Sequence, residues 1–391
     1  MLTHHFRPLS RLVLIGAFLT ACAAPTPAPV APAPAEPLAL LLARPDGLRG
    51  PVVAYEIPAG RERFRLPAGM LSGDERRFVS VAPGLAGGQV TVYDMAVGEP
   101  TARFMVRDLE LGGVSLDGRW AVFTRARPAP EGWATRVEIV DTATGAPAHR
   151  LDLAGRFELD AFSADGQSLF LIEHLPADAP DAYVIRRYEL GGEGLLADPV
   201  RAKGAETIMA GYAWEGKASP DGRWLLTLYI NTLRDAAFVH ALNLVDKLPV
   251  CIDLPSGTGD LESLQSYTVA PDPNGQRLFA ANAALGVVAE VSLVDFRVTH
   301  TTAFPPQAPP TQPAGAALHL AASRLTPDAR TLYFTNGQAI WAYSLADRRV
   351  SEPFTAAGPI TGLAFDPAGT RLFAATAAGE VQAFPAAPAA R

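Results

Sequence analysis

The densest run of chemistry-bearing side chains is residues 229–254 (YINTLRDAAFVHALNLVDKLPVCIDL), where Arg234, Asp235, His240 and Asp246 lie close in sequence; Trp214-Glu-Gly-Lys217 precedes it. A histidine on a strand beside a carboxylate can contact a ligand or move a proton. The plainer assignment for one in an apolar run is a core histidine hydrogen-bonded to backbone. His240, Arg234 and Trp214 are the candidate ligand contacts, and no residue is assigned a catalytic role. His149, His174, His300 and His319 stand singly, so no metal and no other cofactor is expected from local ligand spacing. No Gly-x-Ser-x-Gly pentapeptide is present to host a serine nucleophile. In Asp117-Gly118 and Asp221-Gly222 the two residues are adjacent, which suits turn formation and not the one-residue gap of a sialidase Asp box. Cys251, flanked by apolar residues, reads as a small buried hydrophobe.

The elements that would position these residues repeat. Seven turns, 72–75 (SGDE), 115–118 (SLDG), 163–166 (SADG), 219–222 (SPDG), 270–275 (APDPNG), 326–329 (TPDA) and 366–369 (DPAG), follow one another at spacings of 43, 48, 56, 53, 54 and 40 residues. That is the period of a four-stranded propeller blade. After each turn comes a short aromatic and branched run, such as 120–123 (WAVF), 224–230 (WLLTLYI) or 332–335 (LYFT), the signature of a strand buried on both faces. Third strands alternate more cleanly, as in 137–141 (VEIVD), which implies a face nearer solvent.

In these turns the chain resembles the YVTN-type and TolB-type bacterial propellers, relatives of the WD-repeat architecture; residues 219–224 (SPDGRW) are the nearest copy of their shared turn. The resemblance covers residues from about 68 to 384 and implies a propeller fold; the seven turns and the roughly 350 residues available predict an all-β, seven-bladed β-propeller over residues 38–384. Residues 360–384 supply only three strands of the last blade, and 61–66 (RERFRL) is expected to complete it and close the ring. Eight blades are the alternative, with the extra one built from residues 38–55, where 44–47 (RPDG) mimics the turn.

The ends speak to compartment. Arg7 and Arg11 precede an apolar core of eight residues, 12–19 (LVLIGAFL), too short for a membrane span of roughly 20. Leu19-Thr-Ala-Cys22 resembles a bacterial lipobox, which implies a signal over 1–21, lipid on the Cys22 thiol and Cys22 as the mature N-terminus. Residues 23–37 alternate proline with small residues and read as an extended tether reaching roughly 45 Å at about 3.1 Å per residue; residues 385–391 read as a flexible tail. Loss of Arg7 and Arg11 takes the formal charge from −7 to −9, which argues against nucleic acid as a partner.

The expected protein is thus a lipoprotein of the bacterial cell envelope, extracytoplasmic and held to the membrane through Cys22, whose propeller binds a protein or small ligand without catalysis of its own. The alternative is a lactonase-type propeller hydrolase with an axial active site. Convergent His, Glu and Arg side chains at one axial mouth would favour the enzyme, and a flat apolar patch on the rim would favour the platform. Cys22→Ser should abolish labelling by a fatty-acid analogue and move the protein out of the membrane fraction; persistent labelling would refute the anchor.

Overall fold

The computed structural model describes residues 39–44, 50–84, 87–177, 182–192, 194–200, 209–231, 233–257, 260–308 and 321–386. Their strands form eight antiparallel sheets in chain order. The first strands of the sheets are Ala39–Ala43, Gly69–Leu71, Glu110–Val114, Phe157–Phe162, Tyr212–Ala218, Tyr267–Pro271, Ser323–Leu325 and Ile360–Phe365. First strands of most neighbouring sheets touch, so they line an axis, and the architecture is an eight-bladed propeller. Sheets stacked face to face bury both sides of their middle strands. Trp224–Asn231 has no exposed residue, as its unbroken apolar run requires.

The Asp-containing turns close the first hairpin of the blades. Ser115 Oγ donates to Asp117 Oδ1 at 2.7 Å and accepts from Trp120 N at 2.9 Å, while Asp117 Oδ1 accepts from Arg119 N at 3.0 Å. Ser163, Ser219 and Thr326 repeat the pattern. The fourth turn residue must be left-handed, which glycine allows without steric cost at Gly118, Gly166 and Gly222. Glu75 (φ 59°) and Ala329 (φ 53°) adopt the same conformation with a Cβ.

The seven-blade expectation is wrong by one. Arg61–Leu66 does not complete the last blade but pairs antiparallel with Val52–Ile57, which in turn pairs with Ala39–Ala43. A turn in which Gly60 N donates to Glu56 O at 2.7 Å closes that hairpin locally. Joining residues 61–66 to residue 384 would instead have to close most of the chain into one loop. The strands ALLLA and VVAYEI also need burial on their own account. The ring closes by face-to-face packing. Leu41, Val53, Tyr55 and Ile57 of blade 1 share a core with Phe373 and Ala375 of blade 8. Arg44 N donates to Thr361 O at 3.0 Å. Gly362 lies so close to Leu42 O that an added Cβ would come within 2.3 Å of it. At the other end the last strand, Val381–Pro385, includes the first residue assigned to the tail, and Ala386 N donates to Thr370 O at 3.0 Å.

Leu41 is 0% exposed in the closing seam. Leu41→Ala should therefore cost about 2–5 kcal/mol in denaturant melts. Val294→Ala, on a residue 66% exposed, should stay within about 0.5 kcal/mol. Equal effects would mean that blade 1 does not hold the ring together.

Candidate functional site

Charged side chains converge on the axis. On the first strand of blade 5, Glu215 Oε2 accepts from Val269 N at 3.1 Å and Glu215 Oε1 meets Lys217 Nζ at 3.0 Å. Lys217 Nζ donates to Val269 O at 2.5 Å and to Ser323 Oγ at 3.3 Å, tying blades 5, 6 and 7. Arg324 Nε reaches Leu363 O of blade 8 at 3.2 Å, and its guanidinium lies 3.8 Å from Glu75 of blade 2. Burial pulls the pKa of the Arg44 guanidinium down; Glu75 works against that and Arg324 adds to it. Leu116 packs against Gly73 of blade 2 and Gly222 of blade 5, where an added Cβ would come within 2.4 and 2.8 Å of it. The turns of blades 2, 3 and 5 thus meet across the axis. Glu and Arg converge here, and the contacts that hold them are to backbone and to one another.

A cleft of about 590 Å³ opens beside this cluster, between blades 1 and 2. Leu40 and Leu42 form one wall; Glu75, Arg76, Arg77, Asp94, Met95 and Ala96 line the other. Part of that lining is already anchored. Arg77 donates to Thr142 Oγ1 at 2.9 Å, and Asp94 Oδ1 accepts from Ala96 N at 2.8 Å.

A second polar cluster is buried in the seam between blades 4 and 5. Asp160 is the extra residue of a bulge in Phe157–Phe162, and a bulge re-aims its side chain. Its carboxylate, 4% exposed, lies 3.4 Å from Nε2 of the fully buried His240, at ion-pair separation but without the alignment of a straight hydrogen bond. Tyr229 stacks on Tyr183 at 5.3 Å and meets the His240 ring edge-on at 5.9 Å. Both phenol oxygens are buried without a hydrogen-bond partner, and burial, reinforced by nearby charge, keeps them protonated. Complete burial pulls the His240 pKa down, but Asp160 and Cys251 together outweigh it and raise it from 6.5 to about 10. On the far side of the ring, Cys251 Sγ lies 3.8 Å from His240 Nδ1.

No family model matches the sequence, and no curated protein matches it. Solved structures do. A dihydro-heme d1 dehydrogenase, NirN in complex with DHE, aligns over 90% of this chain and 74% of its own, at 16% identity and a TM-score of 0.50. The Dos1 propeller aligns over 88% of this chain and 95% of its own, at 8% identity and a TM-score of 0.50. The chain is a β-propeller. At such identities the likeness extends to the fold alone.

The three residues singled out in sequence do not meet in the propeller. His240 faces blade 4; Trp214 faces blade 6, donating from Nε1 to Gln265 O at 2.8 Å; Arg234 is exposed in the turn of its own hairpin. His240 is not backbone-bonded as the plainer assignment has it; it is fully buried and faces the carboxylate of Asp160. Cys251 was expected to be buried and is exposed. It sits on the outermost strand, Leu248–Asp253, against the part of blade 4 whose outer strands, Gly194–Leu195 and Met209–Ala210, have two residues each. Cys22 lies outside the described residues. Asp160 was missed because nothing in the chain near His240 points to it. Among the described residues no three His, Cys, Asp or Glu side chains gather to hold a metal ion.

A folded pKa of about 10 lies above the unfolded value near 6.5. The pair therefore contributes fully below pH about 6.5, and its contribution is lost as pH rises toward 10. The wild-type melting midpoint should fall across that window, and that of His240→Gln should fall less. Asp160→Asn should cost about 3–5 kcal/mol at neutral pH by stranding a buried imidazolium. Parallel pH curves for wild type and His240→Gln would refute the pairing.

Proposed function

We propose that this propeller is a binding platform, carried outside the cytoplasm on a lipid at Cys22, that takes its ligand or partner in the cleft between blades 1 and 2 and does no chemistry at its axis. The observation that carries this reading is Glu75. It occupies a left-handed turn position filled by glycine in five other blades and by Ala329 in a sixth; unlike Ala329 it brings a charge to that position, and strained backbone clusters at ligand sites. Its carboxylate faces both the cleft and Arg324. The cleft volume of about 590 Å³ suits a small ligand or an inserted side-chain cluster.

Glu and Arg converge at the axis, as the enzyme alternative requires, but they are engaged in holding the blades together. Glu215, Lys217 and Arg324 each brace neighbouring blades through backbone or hydroxyl contacts, so a substrate would have to displace the bonds that hold the ring. The large exposed apolar side chains, among them Met105, Leu175, Leu233 and Val294, are spread over blades 2, 4, 5 and 6. Recognition is therefore assigned to the cleft and not to a flat apolar rim.

The test places a photoreactive residue at Ala96 in the cleft and, separately, at Val294 on blade 6, and irradiates cells carrying the full chain. A discrete adduct from position 96 that is absent from 294 and lost with Glu75→Gln is expected, together with no turnover of lactones or esters. No adduct at 96, or wild-type turnover that Glu75→Gln abolishes, would overturn the platform reading.

A further inference from the structure

The blade 4/5 seam gathers soft donors at the rim. Cys251 Sγ lies 3.3 Å from Met209 Sδ and 3.8 Å from His240 Nδ1. Two donors each about 2.0–2.3 Å from a shared ion stand roughly 3.1–4.0 Å apart at angles between about 90° and 120°. Both separations fall in that range. Beneath these donors, Asp160 faces the opposite ring nitrogen, His240 Nε2, at 3.4 Å. A carboxylate beside one ring nitrogen leaves the other nitrogen to a metal; the usual partner of a ligating histidine accepts a hydrogen bond, and here the carboxylate stands at ion-pair separation instead.

The geometry points to a surface-accessible site for a soft monovalent cation, copper(I), held by Cys251 Sγ, Met209 Sδ and His240 Nδ1, with Asp160 orienting the imidazole. Thiolate and thioether donors select copper(I) over harder divalent ions. Entry is from solvent, because Cys251 is exposed at the edge of the short outer strands of blade 4. Binding is a ligand exchange without electron transfer: the Cys251 thiol proton and the Nδ1 proton of the His240 imidazolium both leave to water, a copper–sulfur bond and a copper–nitrogen bond replace them, and Met209 donates a sulfur lone pair. The buried phenols of Tyr183 and Tyr229, the carboxylate of Asp160 and the ring of His240 form the inner wall, so the ion has protein on one side and water on the other. The site lies in a different seam from the proposed ligand cleft, and either can fail without the other.

The experiment uses the full chain with Cys22→Ser, so that Cys251 is its only thiol, and titrates it anaerobically with copper(I) against a chromophoric copper(I) chelator. One copper per chain is expected, with X-ray absorption showing two sulfur donors and one nitrogen. Cys251→Ser should weaken binding at least about 100-fold, and Met209→Leu and Asp160→Asn about 10-fold each. Silver(I), a redox-inert probe, should raise the melting midpoint of the parent and not of Cys251→Ser. Failure to compete with the chelator, equal affinity in Cys251→Ser, a single sulfur donor in the absorption spectrum, or tighter binding of zinc(II) would each overturn the assignment. Cys251→Ser and Met209→Leu alter residues outside the fully buried core, so the result does not hang on the folding of an Asp160 or His240 variant.

Discussion

A ring of stacked sheets is stable only if its last sheet finds its first, because every blade buries both faces of its middle strands and an open ring would leave two apolar sheet faces in water. Here the closing contact is between whole blades and not within one sheet. Blade 1 lays Leu41, Val53, Tyr55 and Ile57 against Phe373 and Ala375 of blade 8, and the backbone bond from Arg44 to Thr361 fixes their height. Gly362 is the residue that permits this approach, since any side chain there would strike the Leu42 carbonyl. The blades on both sides of the closure have three strands each among the described residues, so what joins them is apolar packing and the backbone bond from Arg44 to Thr361. The axial network acts in the same sense: Arg324 reaches from blade 7 both to blade 8 and toward Glu75 of blade 2, bracing the closure from inside.

What could be read in the sequence follows from how far apart the cooperating residues are. The turns were legible because their chemistry is complete within about five residues: Ser115, Asp117 and the amides of Arg119 and Trp120 satisfy one another. The blade number was not, because it hinges on whether residues 61–66 pair with the strand just before them or with one some 300 residues away. The apolar character of residues 39–43 and 52–57 held the answer, since ten such side chains cannot remain in a solvated leader. His240 drew notice for the right reason, an ionisable group in an apolar run, but its partner Asp160 is 80 residues upstream in another blade. Trp214, Arg234 and His240 looked like a cluster because they are near in sequence. Successive residues of one blade point into different seams, so proximity along the chain is a poor guide to proximity in a propeller.

That geometry separates the roles of axis and seams. Polar groups on first strands are close to several blades at once, and in this chain they are spent as cross-blade fasteners: Lys217 bonds to blades 6 and 7, Glu215 to blade 6, Arg324 to blade 8. A seam joins only two blades, and where the sheets part, as at Leu40 and Glu75, or shorten, as at Met209 and Cys251, polar and soft side chains reach solvent while the ring stays intact. The cost of holding such groups falls on one interface instead of the whole closure. Glu75 belongs to both regions. Its left-handed backbone would be relieved by glycine, as in the blades that use one, yet glycine would remove the carboxylate that faces Arg324 and the cleft together. Glu75 thus joins the bracing of the ring to the lining of its cleft, and one substitution there acts on both.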